Sequence, residues 1–196
     1  EAQSVFAQQW CASFIPYGRD INTVEIFNPN NILVAGGHLY NDSIQTLDRS
    51  NNSGLSWDFT DVISSWITSV DFSDSLNGFA VGTNGKIMVT HSGGIQWSYA
   101  FSPVNRNYNK VWMFDSLTAI AVGGNESGNL QTIIKTTNGG QTWNVLLDQT
   151  GKWLKSVFFV DANTGIAVGD SGMILKTTNG GNNWLPVMAP VIRNFN

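Results

Sequence analysis

The chain has 196 residues, 10 of them basic and 14 acidic, with a formal net charge of −4 and a single cysteine. That length fits one domain with a sizeable core, and a 42% hydrophobic content excludes a disordered chain. Charged residues are only 12%, about half the usual share, and 22 asparagines solvate the surface instead, which argues against nucleic acid or anionic membrane as partners. Cys11 alone excludes both an internal disulfide framework and a thiolate metal cluster. No apolar run approaches about 18 residues, so no membrane-spanning helix is expected and the chain is at most peripheral to a membrane. The opening Glu1-Ala2-Gln3 has no basic or apolar leader pattern, and the expectation is that any signal peptide is already removed or was never there.

In chain order, Trp10 heads a short apolar stretch at 10–15, read as an extra outer strand. Four gapless 13-residue blocks follow, each opening on valine and closing on glycine: Val24–Gly36, Val70–Gly82, Val111–Gly123 and Val157–Gly169. Each is an apolar run, a polar turn and a second apolar run, the pattern of a β-hairpin. After each block comes a turn that ends in tryptophan, at Trp57, Trp97, Trp143 and Trp184. Val24 and Val111 are 87 residues apart, as are Val70 and Val157, and Trp97 and Trp184. The true unit is therefore a pair of blades, one long and one short. The long ones carry extra residues at 37–50 and 124–135. A period in the forties with about four short strands predicts an all-β chain, a β-propeller of four-stranded antiparallel blades. Four blades are present, at about 24–60, 70–101, 111–148 and 157–188. No stretch keeps a 3.6-residue period, so no helix is expected. The four turn tryptophans are predicted to be buried between blades, and Trp66 and Trp153 to be more exposed.

Thr136-Thr137-Asn138-Gly139-Gly140-Gln141-Thr142-Trp143 and Thr177-Thr178-Asn179-Gly180-Gly181-Asn182-Asn183-Trp184 resemble the Asp-box of BNR-type repeats, with weaker copies at 50–57 and 90–97. Asn52, Ser92, Asn138 and Asn179 stand where the Asp-box has aspartate. A short polar side chain can still cap the turn's own amides, while glycine takes the positive φ. Blocks and turns together resemble the photosystem II stability/assembly-factor-like propeller family, which includes many secreted bacterial proteins. The resemblance covers 10–196. It implies a scaffold that helps a membrane complex assemble, and no cofactor.

The last residues, Pro190 to Asn196, copy Pro103 to Asn109, which lead into a block. Residues 189–196 thus read as the lead-in to a further blade. Three arrangements stay open: part of a larger ring continued by more chain, a ring of four, or a ring completed by a second copy as a homodimer.

Candidate binding residues follow from repeat position. Arg19 and Arg106 lie five residues before a block valine, and Arg193 has the same place in the final lead-in. Trp66 and Trp153 lie four residues before the other two blocks. Arginine beside tryptophan suits a carboxylate, a sulfate or a sugar, and propellers gather these connections at one end of the channel. The same repetition would also arise from a copied structural arginine. Gly169-Asp170-Ser171-Gly172 matches a serine-nucleophile motif but occupies a turn position, so it is read as a turn. His38 and His91 have no ligand spacing, and no metal site is expected. Asp71, Asp115 and Asp161 read as turn residues rather than an acid/base pair. The expected function is a non-catalytic, extracytoplasmic scaffold, secreted, periplasmic or at the cell surface, that recognises a protein or a glycan through one propeller face. The alternatives are a glycoside hydrolase whose catalytic groups lie in further blades, and a structural module of a surface adhesin.

Overall fold

A computed structural model describes residues 20–37, 44–58, 61–63, 66–125 and 129–187. The outer strand expected at 10–15 and the lead-in at 189–196 lie outside the described residues. Four antiparallel sheets of four strands follow one another along the chain, the blades of a β-propeller. The first blade holds β1 Ile21–Asn28, β2 Asn31–Gly37, β3 Ile44–Ser50 and β4 Asp61–Ile63; the second holds β5 Ile67–Phe72, β6 Gly78–Gly82, β7 Ile87–Thr90 and β8 Ser98–Tyr99. The third holds β9 Asn107–Met113, β10 Ala119–Asn125, β11 Leu130–Thr136 and β12 Asn144–Thr150; the fourth holds β13 Leu154–Phe159, β14 Gly165–Gly169, β15 Ile174–Thr177 and β16 Leu185–Pro186. Among the described residues the single helical element is a 3-10 turn at Asp170–Gly172.

Each 13-residue block is the inner hairpin of a blade, as its alternation predicts, and its first strand starts three or four residues before the block valine. The hairpin tips share one cap. Asn28, Asp74, Asp115 and Asp161 each accept two backbone N–H groups, from residues two and three further on, at 2.7–3.0 Å. Asp115 and Asp161 are therefore turn residues. Asp71 is not: it lies within β5, and Asp74 holds its expected place.

The Asp-box-like turn is built the same way four times. In the third blade the Gly140 N–H donates to Thr136 Oγ1 (3.0 Å), the Thr136 hydroxyl donates to Asn138 Oδ1 (3.0 Å), and that oxygen also accepts the Thr142 N–H (3.0 Å). Thr177 with Asn179, and Ser50 with Asn52, repeat this arrangement, and Thr90 with Ser92 repeats its outline. The amide thus replaces the carboxylate because the network needs an acceptor, not a charge. Gly140 has φ +81°, and a Cβ there would lie 2.6 Å from the Phe79 ring of the second blade. Only glycine both takes that backbone and lets the neighbouring blade close.

Blades touch through their inner strands, β1 on β5, β5 on β9 and β9 on β13. The first–second interface packs Leu33, Ala35, Ile67, Val70, Ala80 and Met88. The third–fourth interface packs Ile120, Val122, Leu154, Val157, Ala167 and Leu175, the same positions 87 residues on. Both are latched identically, by Asn22 Nδ2 donating to the Ile67 carbonyl (2.8 Å) and Asn109 Nδ2 to the Leu154 carbonyl (2.6 Å). The second–third interface is of another kind, with Phe79, Val81, Tyr108, Val111, Met113 and Trp143 at its core.

That difference corrects the expected contrast among the tryptophans. Trp143 is 5% exposed and packs edge-on against Phe79 with ring centroids 5.3 Å apart. Trp57, Trp97 and Trp184 are only half-buried, as are Trp66 and Trp153. Trp97 and Trp184 precede outermost strands of only two residues. Trp57 belongs to the first blade, before which no described blade packs. Trp143→Ala should therefore cost about 3–5 kcal/mol of stability in urea denaturation, and Trp57→Ala clearly less.

Candidate functional site

Hairpin tips and Asp-box-like turns share one end of the blades and are bonded to one another, Gly139 N–H to the Leu117 carbonyl and Gly180 N–H to the Asn163 carbonyl, both at 2.9 Å. The other end carries the lead-ins to each inner strand and the turns between second and third strands. A cleft of about 280 Å³ opens at this end between the second and third blades, lined by Asn84, Asn105, Arg106, Asn107, Gly124 and Asn125. It has a firm floor: Gly85 N–H donates to the Arg106 carbonyl (2.7 Å), and Asn84 N–H to Asn107 Oδ1 (3.0 Å). Asn84 has φ +56°, a conformation in which asparagine is better tolerated than most residues.

Of the residues singled out by repeat position, Arg19 and Arg193 lie outside the described residues. Arg106 lines the cleft, but its guanidinium faces inward. Nε and Nη2 hold the two oxygens of Asp148 on β12, each at 3.1 Å, and Nη1 donates to the Asn105 carbonyl (3.1 Å). The Thr132 hydroxyl gives Asp148 a further hydrogen bond (2.7 Å). Arg106 thus ties the lead-in to the outermost strand of its own blade. Its charge is matched at the site.

Trp153 stands beside the cleft, its ring against Gly124, with the Lys155 ammonium 3.2 Å from its centroid and Asp170 3.6 Å from that ammonium. Trp66 has the equivalent place in the second blade, where its backbone N–H donates to Thr83 Oγ1 (3.0 Å). Both are set by one device: Thr83 N–H donates to the Trp66 carbonyl and Asp170 N–H to that of Trp153, at 2.9 and 3.0 Å. Arg106 therefore lines the cleft, Trp153 lies against its Gly124, and Trp66 is held by Thr83, the residue before Asn84. Ser171 sits in an exposed turn with φ 58°, closed by Met173 N–H on the Asp170 carbonyl, as expected of a turn.

Asn84, Asn105, Asn107 and Asn125 were not visible as site residues among 22 asparagines. Asp71 reads in the sequence as a turn residue, and Glu25 is given no role there. Burial raises the carboxyl pKa of Asp71 above its ordinary value; burial, and then the Asp71 charge, raise that of Glu25. Asp71 Oδ2 is committed, since it accepts the Met113 N–H of the next blade (2.6 Å). It serves as an inter-blade strut.

Fold and site together define a β-propeller with Asp-box-like turns locked at one end and an amide-lined cleft at the other. The chain belongs to the family described as photosynthesis system II assembly factor YCF48, whose pattern matches residues 49–184. No curated protein matches the sequence. Among solved structures, the chain is similar to YCF48 bound to a D1 peptide, with a TM-score of 0.69 at 18% identity over 91% of this chain and 56% of that one. It is similar to YCF48 from Cyanidioschyzon merolae, with a TM-score of 0.67 at 18% identity over 91% and 59%. The GH74 enzyme of Niastella koreensis gives a TM-score of 0.65 at 20% identity over 85% and 30%. The chain thus spans little more than half the length of the YCF48 structures, and at such identities the likeness is one of fold.

Two substitutions separate structural roles from binding ones. Arg106→Ala leaves a partly buried carboxylate with one hydroxyl partner and should cost about 1–3 kcal/mol in urea denaturation; the Arg106→Ala/Asp148→Ala double variant should lose less than the sum of the singles. Asp71→Asn keeps an acceptor for Met113 but removes a charge that folding desolvates. The folded Asp71 pKa lies above 3.8, so the wild-type penalty grows as pH rises through that window and is complete above the folded value. Asp71→Asn should raise the melting temperature at pH 7, and the gain should vanish as pH falls towards 3.8.

Proposed function

We propose that this protein is a non-catalytic binding scaffold, acting outside the cytoplasm, that holds an extended protein segment at its asparagine-lined end. The observation that carries this reading is the cleft itself. Primary amides both donate and accept, so several on a rigid floor complement the alternating N–H and C=O groups of a peptide main chain. The half-buried Trp153 beside them offers an apolar face with which a bound side chain would pack. Family membership supports a scaffold role, and a relative of the same fold has been solved with a peptide bound. The low charge and abundant amides of the chain suit a secreted, periplasmic or surface-exposed protein. A glycan would use similar amides and stacking, and it is the competitor that a test must separate.

The reading is tested with fluorescently labelled peptides of varied sequence, followed by anisotropy, alongside labelled neutral and sialylated oligosaccharides. Peptides should bind and oligosaccharides should not. Asn105→Ala combined with Asn84→Gly, which respects the positive φ, should weaken peptide binding at least about fivefold with little change in melting temperature. Because Arg106 is already paired, affinity should change little between 50 mM and 500 mM salt. Binding of oligosaccharides alone, or their hydrolysis, would overturn the proposal.

A further inference from the structure

Four asparagine–glycine pairs occur in the chain, Asn77–Gly78, Asn84–Gly85, Asn138–Gly139 and Asn179–Gly180. The fold treats their side-chain amides differently. Asn138 Oδ1 accepts the Thr136 hydroxyl and the Thr142 N–H, both at 3.0 Å, and its Nδ2 donates to Thr142 Oγ1 (2.9 Å). Asn179 Oδ1 accepts the Thr177 hydroxyl and the Asn183 N–H, both at 3.0 Å. Asn77 Nδ2 donates to Asp74 Oδ2, and its Oδ1 meets His91 Nδ1, both at 2.8 Å. Asn84 is exposed, and among the described residues its side-chain amide has no hydrogen bond. Its backbone N–H alone is held, by Asn107 Oδ1 (3.0 Å).

Asn84 and Gly85 are the central residues of the turn from β6 to β7, at φ 56° and 72°, and the Lys86 N–H closes it on the Thr83 carbonyl (3.1 Å). Such a turn selects for positive φ and not for the amide. The fourth blade shows as much: Ser171, 87 residues on, holds the place of Asn84 at φ 58°. Backbone protection does not separate the four pairs. Gly85, Gly139 and Gly180 each donate their N–H to a carbonyl, of Arg106, Leu117 and Asn163, at 2.7–2.9 Å, and Gly78 lies within β6. What sets Asn84 apart is a carboxamide able to turn onto its own main chain, beside a residue with no Cβ to block the approach.

We propose that Asn84 is a site of spontaneous covalent modification, deamidation through a succinimide formed with Gly85. The Gly85 nitrogen bonds to the Asn84 side-chain carbonyl carbon, the bond from that carbon to Nδ2 breaks, and ammonia leaves, carrying the proton that Gly85 gives up through solvent. Water, the sole co-reactant, then opens the ring at either carbonyl and leaves aspartate or isoaspartate. Both products place a carboxylate beside Asn105, Asn107 and Asn125, in a cleft whose arginine is already paired with Asp148. Isoaspartate also adds a carbon to the main chain next to the Gly85 N–H that holds the Arg106 carbonyl. One consequence rests on the reading of this cleft as a peptide site: either product weakens peptide binding.

The test is incubation of the folded chain in mildly alkaline buffer, followed by peptide mapping with mass spectrometry and by ion-exchange chromatography. Asn84 should gain about 1 Da at least about fivefold faster than Asn77, Asn138 or Asn179, each of which must first give up hydrogen bonds. In a sample unfolded in urea the four pairs should react at similar rates, so that the difference is assigned to the fold. Asn84→Ser, the residue that the fourth blade uses at this place, should keep the melting temperature of the parent and abolish the early acidic species on ion exchange. Two results would overturn the proposal: an Asn84 that reacts no faster than the other three in the folded chain, as it would if the bond from Gly85 to Arg106 protects it; or an Asn84→Ser variant that turns acidic as fast as the parent. A chain modified at Asn84 that binds labelled peptides as tightly as before would count against the peptide reading and leave the modification standing.

Discussion

A propeller blade has two apolar faces, and each must lie against another blade. That requirement governs this molecule more than any single contact. A four-stranded sheet on its own would leave both faces of valines and phenylalanines in water, at about 25 cal/mol for each Å² left uncovered. Here the cost is removed blade by blade, and the parts that make the removal possible recur in every blade. Valine and alanine at alternate block positions supply the faces. The glycine that closes each block sits where a side chain would strike the carbonyl of the preceding lead-in, Trp66 for Gly82 and Asn107 for Gly123. In the three Asp-box-like turns that carry two glycines, the second lies under a residue of the neighbouring blade, Leu33 over Gly94, Phe79 over Gly140 and Ile120 over Gly181.

This arrangement divides the polar groups into two populations with different work. At the turn end, asparagine and aspartate oxygens are consumed by the backbone of their own loops. Hydrogen bonds hold the carboxyl pKa values of Asp74, Asp115 and Asp161 below the ordinary 3.8, led by the Asn77 amide for Asp74 and by the Leu117 and Asn163 N–H groups for the other two. What these groups add to stability is present above 3.8 and fades as pH falls through their folded values. Asp71 has the opposite sign, because desolvation outweighs its hydrogen bonds. At the lead-in end, amides line a cleft with its floor already bonded.

The fold was legible in the residues because its signals are local and repeated. Alternation over five or six positions marks each inner hairpin, and a polar residue followed by one or two glycines and a tryptophan marks each outer turn, with no reference to distant chain. The site was legible only in part. Repeat position picked out Arg106, which lines the cleft, and Trp153, which lies against Gly124 at its edge. It could not reveal that Asp148, 42 residues further on, occupies the arginine's fork. Nor could spacing separate Asp71 from Asp74, three residues apart and both acidic, although one braces the next blade and the other caps a turn. The burial of the turn tryptophans was overcalled for a related reason. Their turns are equivalent, but what lies across from each turn is not.

The pairing of Arg106 with Asp148 also changes what kind of partner this end can favour. An unpaired arginine in a cleft attracts anions over a Debye length of roughly 10 Å and loses that pull in salt. One held fork-to-fork by a carboxylate has given its charge and its best geometry to the fold. Its remaining contribution is to fix Asn105 and Asn107, on either side of it, to a rigid strand. Under the proposed peptide-binding role, specificity would rest on amide geometry, in which a misplaced donor or acceptor is penalised by the desolvation it suffers, about 1–3 kcal/mol for each group left unmatched. Discrimination of that kind reads the spacing of main-chain groups rather than the charge of side chains.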